Sequence, residues 1–398
     1  MKRIAAFVVL LTTAPAHAEA TIEPSVRSGV WSSDRLNRDT GAVPSADVWI
    51  RANADITDKV ALRLEGWAGL DPSGTGTPGG DVREAFIKLK TGGIRLTAGR
   101  QILAWGRADR INPTDVISSR DLRRLVDEDE DNRRGLASVS ISAPLAGGTL
   151  DLHWIPEFRP TILPQTLSQS GLAVVDEHPS ASGQSFAVRY ERFGQNVDWS
   201  VTYSSAHSRT PILDLTRPST GPVLRLRYPR LKLLGGDLAT TIGDYGLRFE
   251  AAGYAYDRKG FANLITRVPR FAATLGVDRS FPGQWSVIVQ AAVRVSERTG
   301  DTGALAARNA TIHGAWDAVT FGSFARVRKG FSGDRGSIEL VGASFTGGGA
   351  LGQVKGSYAL RDGVRITAFM ERYTGSSESY LGRLRGNNLV MVGLRAGF

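Results

Sequence analysis

Between Trp285 and Val295 every second residue is apolar: Trp285, Val287, Val289, Ala291, Val293 and Val295, with Ser286, Gln290 and Arg294 among the residues between. A repeat of two places these sets on opposite faces of an extended strand, and an unbroken apolar face must meet either a protein core or lipid. Shorter runs repeat the pattern. Val60, Leu62 and Leu64 alternate with Arg63 and Glu65, Leu247, Phe249 and Ala251 with Arg248 and Glu250, and Val364, Ile366, Ala368 and Met370 with Arg365, Thr367 and Glu371. Gly supplies 46 of the 398 residues and helical periodicity is hard to find, so short strands separated by turns dominate the reading.

The connections alternate between tight and long. Tight turns are read at Thr57-Asp58-Lys59, Gly92-Gly93, Ala146-Gly147-Gly148, Gly194-Gln195-Asn196, Gly243-Asp244, Pro282-Gly283, Ser332-Gly333-Asp334 and Arg361-Asp362-Gly363. These eight turns join sixteen strands. A strand before the first turn (about 24–33) and a final one (about 387–398) bring the count to eighteen, with both chain ends on the tight-turn side; sixteen is the alternative, because 221–241 and 298–330 are hard to divide. Long connections are expected near 34–44, 70–81, 102–134, 158–183, 207–221, 257–266, 298–315 and 374–386. Short turns at one rim and long loops at the other are the pattern of a transmembrane β-barrel.

The chain's beginning carries a secretory signal: Lys2 and Arg3, the apolar run Ile4–Leu11, and Ala16-His17-Ala18 as a cleavage site. Cleavage after Ala18 divides the chain into a signal peptide, 1–18, and a single domain, 19–398, and lowers the formal net charge from +10 to +8. No later stretch stays apolar for the roughly 18 residues that a membrane-crossing helix needs. A membrane location therefore requires a closed barrel, since in lipid only helices and barrels satisfy every backbone polar group. There is no cysteine, which excludes disulfide stapling and a lipoprotein anchor. The rival reading, a soluble sandwich or propeller, rarely reaches this size as one domain.

The richest segment is Gly99-Arg100-Gln101-Ile102-Leu103-Ala104-Trp105-Gly106-Arg107-Ala108-Asp109, continued by Arg110-Ile111-Asn112-Pro113-Thr114-Asp115 and then Arg120-Asp121-Leu122-Arg123-Arg124. A connection of this length is functional or disordered, and this one is not low-complexity. Ile102, Leu103, Trp105 and Ile111 give it something to pack with, so it is expected to fold inward. Its candidate constriction residues are Arg107, Asp109, Arg110, Asp115, Arg120, Arg123 and Arg124. Gly99, Gly106 and the Pro113-Thr114-Asp115 turn serve equally well as shapers of the loop.

This block, with Trp154-Ile155-Pro156-Glu157-Phe158-Arg159-Pro160 and the closing Tyr358-Ala359-Leu360-Arg361-Asp362, resembles a proteobacterial group of porin-like outer-membrane barrels related to the alginate-export barrels. The resemblance implies an outer-membrane channel used for diffusion or export, with outer-membrane lipid and the barrel-assembly machinery as partners. The last strand, with Phe398 preceded by Ala396, Leu394, Val392 and Val390 at every second position, is similar to the terminal aromatic strand that such machinery recognises, which makes Phe398 the expected assembly signal.

Arginine is costly on a lipid-facing barrel surface, about 2 to 4 kcal/mol at the midplane. Arg63, Arg95, Arg225, Arg227, Arg248, Arg294, Arg326, Arg328, Arg365 and Arg395 are accordingly expected to point into the lumen, with Glu65, Glu84, Glu250 and Glu371 in the minority, and fixed cations lower the barrier for anions. Cross-strand Arg–Glu pairing is the competing account, at least for Arg63 with Glu65 and Arg248 with Glu250. The acidic run Asp127–Asp131 lacks the spacing of a calcium loop and is read, with Arg123, Arg124, Arg133 and Arg134 around it, as an ion-pair network. His153, His178, His207 and His313 sit in no nucleophile or metal motif, so neither catalysis, a metal nor a cofactor is expected. The pI of about 10.0 would suit nucleic acid, but export removes that partner. The sequence thus points to a pore for small, anionic solutes; the alternative is an export conduit for a polysaccharide or lipophilic product, working with a periplasmic or inner-membrane partner.

Overall fold

The computed structural model describes residues 19–33, 42–70, 78–124, 126, 128–163, 172–179, 183–219, 221–300 and 303–397. The expected signal peptide, 1–18, Asp127 and the expected assembly signal Phe398 lie outside the described residues. Among those described, eighteen strands form one closed antiparallel sheet. They are β1 (Glu19–Ser33), β2 (Val43–Thr57), β3 (Val60–Leu70), β4 (Pro78–Thr91), β5 (Ile94–Gln101) and β6 (Leu136–Leu145). Next come β7 (Gly148–Ile155), β8 (Ser185–Arg192), β9 (Val197–His207), β10 (Arg230–Ile242), β11 (Tyr245–Tyr256) and β12 (Arg267–Phe281). The series ends with β13 (Trp285–Arg298), β14 (Val319–Phe331), β15 (Gly336–Phe345), β16 (Gly349–Arg361), β17 (Val364–Thr374) and β18 (Leu389–Gly397). Each strand pairs with its neighbours in sequence, and β1 pairs with both β2 and β18, which closes the barrel and leaves no open edge.

The alternation between Trp285 and Val295 is a real two-sided face. Along β13, Trp285, Val289 and Val295 are exposed on the outer surface while Gln290 is fully buried inside. All eight tight turns fall between consecutive strands as read. Gly92 (φ +54°) and Gly93 (φ +81°) supply the left-handed backbone that a two-residue hairpin turn needs. Both described ends lie at this rim: Glu19 is opposite Asp55, and the Gly397 amide donates to the Gly363 carbonyl.

Two divisions differ from expectation. Thr346-Gly347-Gly348 is a tight connection at the otherwise long-looped rim, with Gly347 at φ +65°, and it had no long-loop signal to betray it. The segment Val223–Arg227 is not barrel wall. It is the central strand of a separate three-stranded sheet, with Ala173–Glu177 and Ile212–Thr216, above the long-looped rim. Arg225 and Arg227 are therefore not strand positions of the barrel: the alternation of Leu224 and Leu226 with these arginines belongs to a loop sheet, and the wall strand begins only at Arg230, after Pro229. One α-helix among the described residues, α1 (Ala304–Ile312), closes this cap. Its fully buried Asn309 receives the Leu213 amide at 2.8 Å and donates to the carbonyls of Leu213 and Leu264.

Candidate functional site: a loop anchored across the lumen

The connection from β5 to β6 is a folded unit. Its stem residues Ser119–Arg120 pair with Arg133–Arg134, a 3-10 turn occupies Asp129–Asn132, and the loop after β7 lies alongside, with Leu122 N–H to Ile162 O and Ile162 N–H to Arg120 O both at 2.9 Å. Leu103 and Ile117 join Leu136, Ile155 and Ala187 in an apolar cluster against which Trp105 packs. Burying a side chain such as Leu103 contributes about 2 kcal/mol, enough with its neighbours to hold the loop's base against the wall.

The loop tip crosses to the far wall and is tethered there by Glu250 on β11. This carboxylate, 1% exposed, accepts the amides of Arg107 (3.1 Å), Ala108 (3.2 Å) and Thr114 (2.7 Å) and the Thr114 hydroxyl (2.8 Å). Hydrogen bonds to a charged acceptor are the strong kind, and the arrangement answers the cost of burying a carboxylate. Tyr254, also on β11, donates to Pro113 O at 2.8 Å, and the Ile111 amide reaches Gln290 on β13.

Some of the loop's charged residues are ion-paired to the wall and others within the loop itself. Arg107 meets Glu191 (2.6 Å), Asp198 (3.3 Å) and Asp237 (2.9 Å), from three successive strands, β8, β9 and β10; Arg189 shares Glu191 and Asp237. These carboxylates hold the Arg107 guanidinium above its ordinary pKa against burial, which works to lower it. Asp109 bonds Arg248 at 2.8 Å and lies 3.8 Å from Arg326, and Arg110 reaches Gln353 at 3.5 Å. Asp115 pairs with Arg133 at 2.9 Å, and Arg123 with Asp121 at 2.9 Å. Arg120 is held at the stem.

On the side of β1 to β4 the loop meets an aromatic and basic wall. Arg124, 5% exposed, lies 3.6 Å over Trp67, whose ring stacks with that of Trp49. Burial pushes its guanidinium below the ordinary range, opposed by Asp47 and Asp131. Arg27 of β1 lies 4.0 Å over Trp49 and is paired with Asp131. Arg83 is paired with Glu65 and donates to the carbonyls of Glu130 and Arg133. A bulge, which pairs Glu65 with Glu84 but Gly66 with Val82, turns Arg83 inward beside Glu84. Strict alternation hides this residue. Glu128 pairs with Lys355 of β16 at 2.5 Å.

The expected lumen residues divide. Arg63 is matched by Glu84 and Glu65, and Arg248 by Asp109 and Asp278. Arg95 donates to Ser142 Oγ at 2.8 Å and Arg294 to Gly314 O at 3.0 Å. Arg225 and Arg227 pair with Glu177 in the cap, Arg227 also with Asp214. A cavity of about 840 Å³ opens at the tight-turn rim, and Arg326, Arg328, Lys355, Arg365 and Arg395 face it together with Arg27. Within it, Arg27 is directly opposite Arg395, which is directly opposite Arg365. Like charges so placed repel. Arg365 donates to Ser357 Oγ at 3.2 Å. Sequence reading missed Arg27, Arg83, Arg189, Glu191, Asp198 and Asp237. A charged residue inside an apolar strand, as in Leu234-Gly235-Gly236-Asp237-Leu238, was the available signal for Asp237.

No protein-family model and no curated protein sequence matches the chain. Solved structures do. OccAB2 of Acinetobacter baumannii aligns over 96% of this chain and 98% of its own at 10% identity, TM-score 0.57. OpdK of Pseudomonas aeruginosa, crystallised with vanillate, aligns over 96% and 98% at 12% identity, TM-score 0.55. Acinetobacter baumannii OccAB3 gives 96%, 99%, 10% and 0.56. These neighbours are outer-membrane porin-like barrels, and at such identities the likeness is one of fold. None of them ties the chain to the alginate-export barrels.

Proposed function

We propose that this protein is an outer-membrane channel through which small anionic solutes cross, reached after removal of the signal peptide near Ala18 and insertion by the barrel-assembly machinery with Phe398 as its signal. The observation that carries the reading is the row Arg27, Arg395 and Arg365 on three adjacent strands, facing one open cavity. Three guanidinium groups in direct cross-strand register cost stability. A solute anion passing among them offsets that cost, and confinement keeps their field less screened than in bulk salt. OpdK, a neighbour in fold, holds vanillate, an aromatic carboxylate. The selectivity expected of the loop arginines moves to the strands, because Arg107 is surrounded by carboxylates.

The export reading, with a polysaccharide or lipophilic product and a periplasmic or inner-membrane partner, calls for a wide bore. A loop bonded to opposite walls weighs against it, as it does against the alginate-export relation. The zero-current potential across a bilayer holding the purified barrel, under a gradient of lysine gluconate, tests the proposal: its sign should report gluconate as the more permeant ion. A sign that reports lysine as the more permeant ion would contradict it.

A further inference from the structure

The acidic run that the sequence singles out has a place the channel reading does not explain. Glu128 and Asp131, on one turn of the inward loop, do not pair chiefly with the basic residues that flank them. Glu128 reaches Lys355 of β16 at 2.5 Å, and Asp131 reaches Arg27 of β1, with Arg83 of β4 3.8 Å away. Lys355 and Arg27 both face the large cavity, and Arg27 is the end of the row that continues through Arg395 to Arg365. The protein's own carboxylates thus stand where a solute anion would bind. Asp131 is nearly buried, its side chain 11% exposed, whereas Glu128 is 56% exposed and held by a single turn of loop.

We infer that Glu128 and Asp131 form a tethered internal ligand, and that the solutes accepted are dicarboxylates, which displace the pair from Lys355 and Arg27. The inference rests on the anion-channel reading and deepens it. Two carboxylates on one short segment, meeting two cations on the same stretch of wall, Lys355 on β16 and Arg27 on β1, match a solute with two acidic groups better than one with a single group. The tether also explains why the basic row is tolerated when no solute is present: part of its charge is matched from within. An intramolecular competitor acts at a high effective concentration, so it sets the solute concentration at which the site fills.

The test is interruption of chloride current through single channels in a planar bilayer, with succinate as the probe and acetate as its one-carboxylate control. Succinate should interrupt the wild-type current at concentrations where acetate does not. Its half-effective concentration should fall about two- to fivefold in Glu128→Gln, as expected for losing one partly exposed ion pair, and about tenfold in Glu128→Gln/Asp131→Asn. The exposed position of Glu128 keeps the single variant informative even if the double variant assembles poorly. Equal half-effective concentrations in wild type and Glu128→Gln would overturn the inference, as would acetate acting as well as succinate or no interruption by succinate at all. A cation-selective wild type is a separate result, and it would remove the channel reading on which the inference stands.

Discussion

Gly106 sits against Glu250 so closely that a Cβ built on it would lie 2.5 Å from Oε2, and its φ of +94° is one that side chains other than glycine rarely adopt. The carboxylate cannot swing aside, because the Arg107, Ala108 and Thr114 amides and the Thr114 hydroxyl all hold it. Gly106→Ala should therefore release the loop tip at a cost of about 2 kcal/mol from backbone strain alone. The expected outcome is a barrel that still assembles but shows larger, noisier single-channel conductance. Wild-type conductance in this variant would mean that the tether does not fix the pore.

Arg107 is the second fastening. Removing it leaves Glu191, Asp198 and Asp237 with Arg189 as their remaining cation in the cluster. Breaking a largely buried pair of this sort costs about 3 kcal/mol or more. Arg107→Ala should expose the loop to added protease at a lower denaturant concentration than wild type, while Arg107→Lys, which keeps charge but loses the guanidinium fork, should fall between the two.

The cap at the long-looped rim should respond to pH. His313, at the end of α1, is partly buried with its Nε2 3.2 Å from Pro211 O, and burial, aided by Arg294 and opposed by that hydrogen bond, lowers its pKa to about 4. A released cap returns the imidazole to about 6.5 and takes up a proton that the folded cap does not. Cap stability is thus fully present above pH 6.5 and declines as pH falls toward 4. Protection factors of the 303–316 amides, exchange rates referred to the intrinsic rate at each pH, should fall across that window, and His313→Gln should flatten the dependence. Protection factors that rise on acidification would contradict the assignment.

Orientation follows from the two rims. An epitope placed at 376–380, in the long connection between β17 and β18, should be reached by antibody on intact cells, and one at Asp362, in the tight turn between β16 and β17, only after the outer membrane is opened. Labelling of Asp362 alone on intact cells would invert the topology.

The barrel was legible because its signal is local. A period of two and a turn motif at each hairpin declare themselves within a few residues, and so the eight tight turns between Thr57 and Gly363 were readable. Val223–Arg227 misled because a strand in a loop sheet carries the same alternation as a strand in the wall, and only the following Pro229 separates them. The inward loop was foreseeable from its length and its apolar Leu103 and Trp105. Its partners were not, since Arg107 is joined to residues 84, 91 and 130 positions away in the chain and Glu250 to residues up to 143 positions away, relationships that only closure of the sheet creates. Arg83 was hidden by a bulge, which shifts the inward face by one residue without changing the composition of the strand.

Whether the arginine row sets selectivity is decided by the reversal potential of the purified barrel in a planar bilayer under a potassium chloride gradient, for wild type and for Arg365→Ala/Arg395→Ala. The wild type should be anion-selective, with its preference largely lost in the double variant, because the row facing the cavity carries it. A cation-selective wild type, or an anion preference that survives loss of both arginines unchanged, would contradict it.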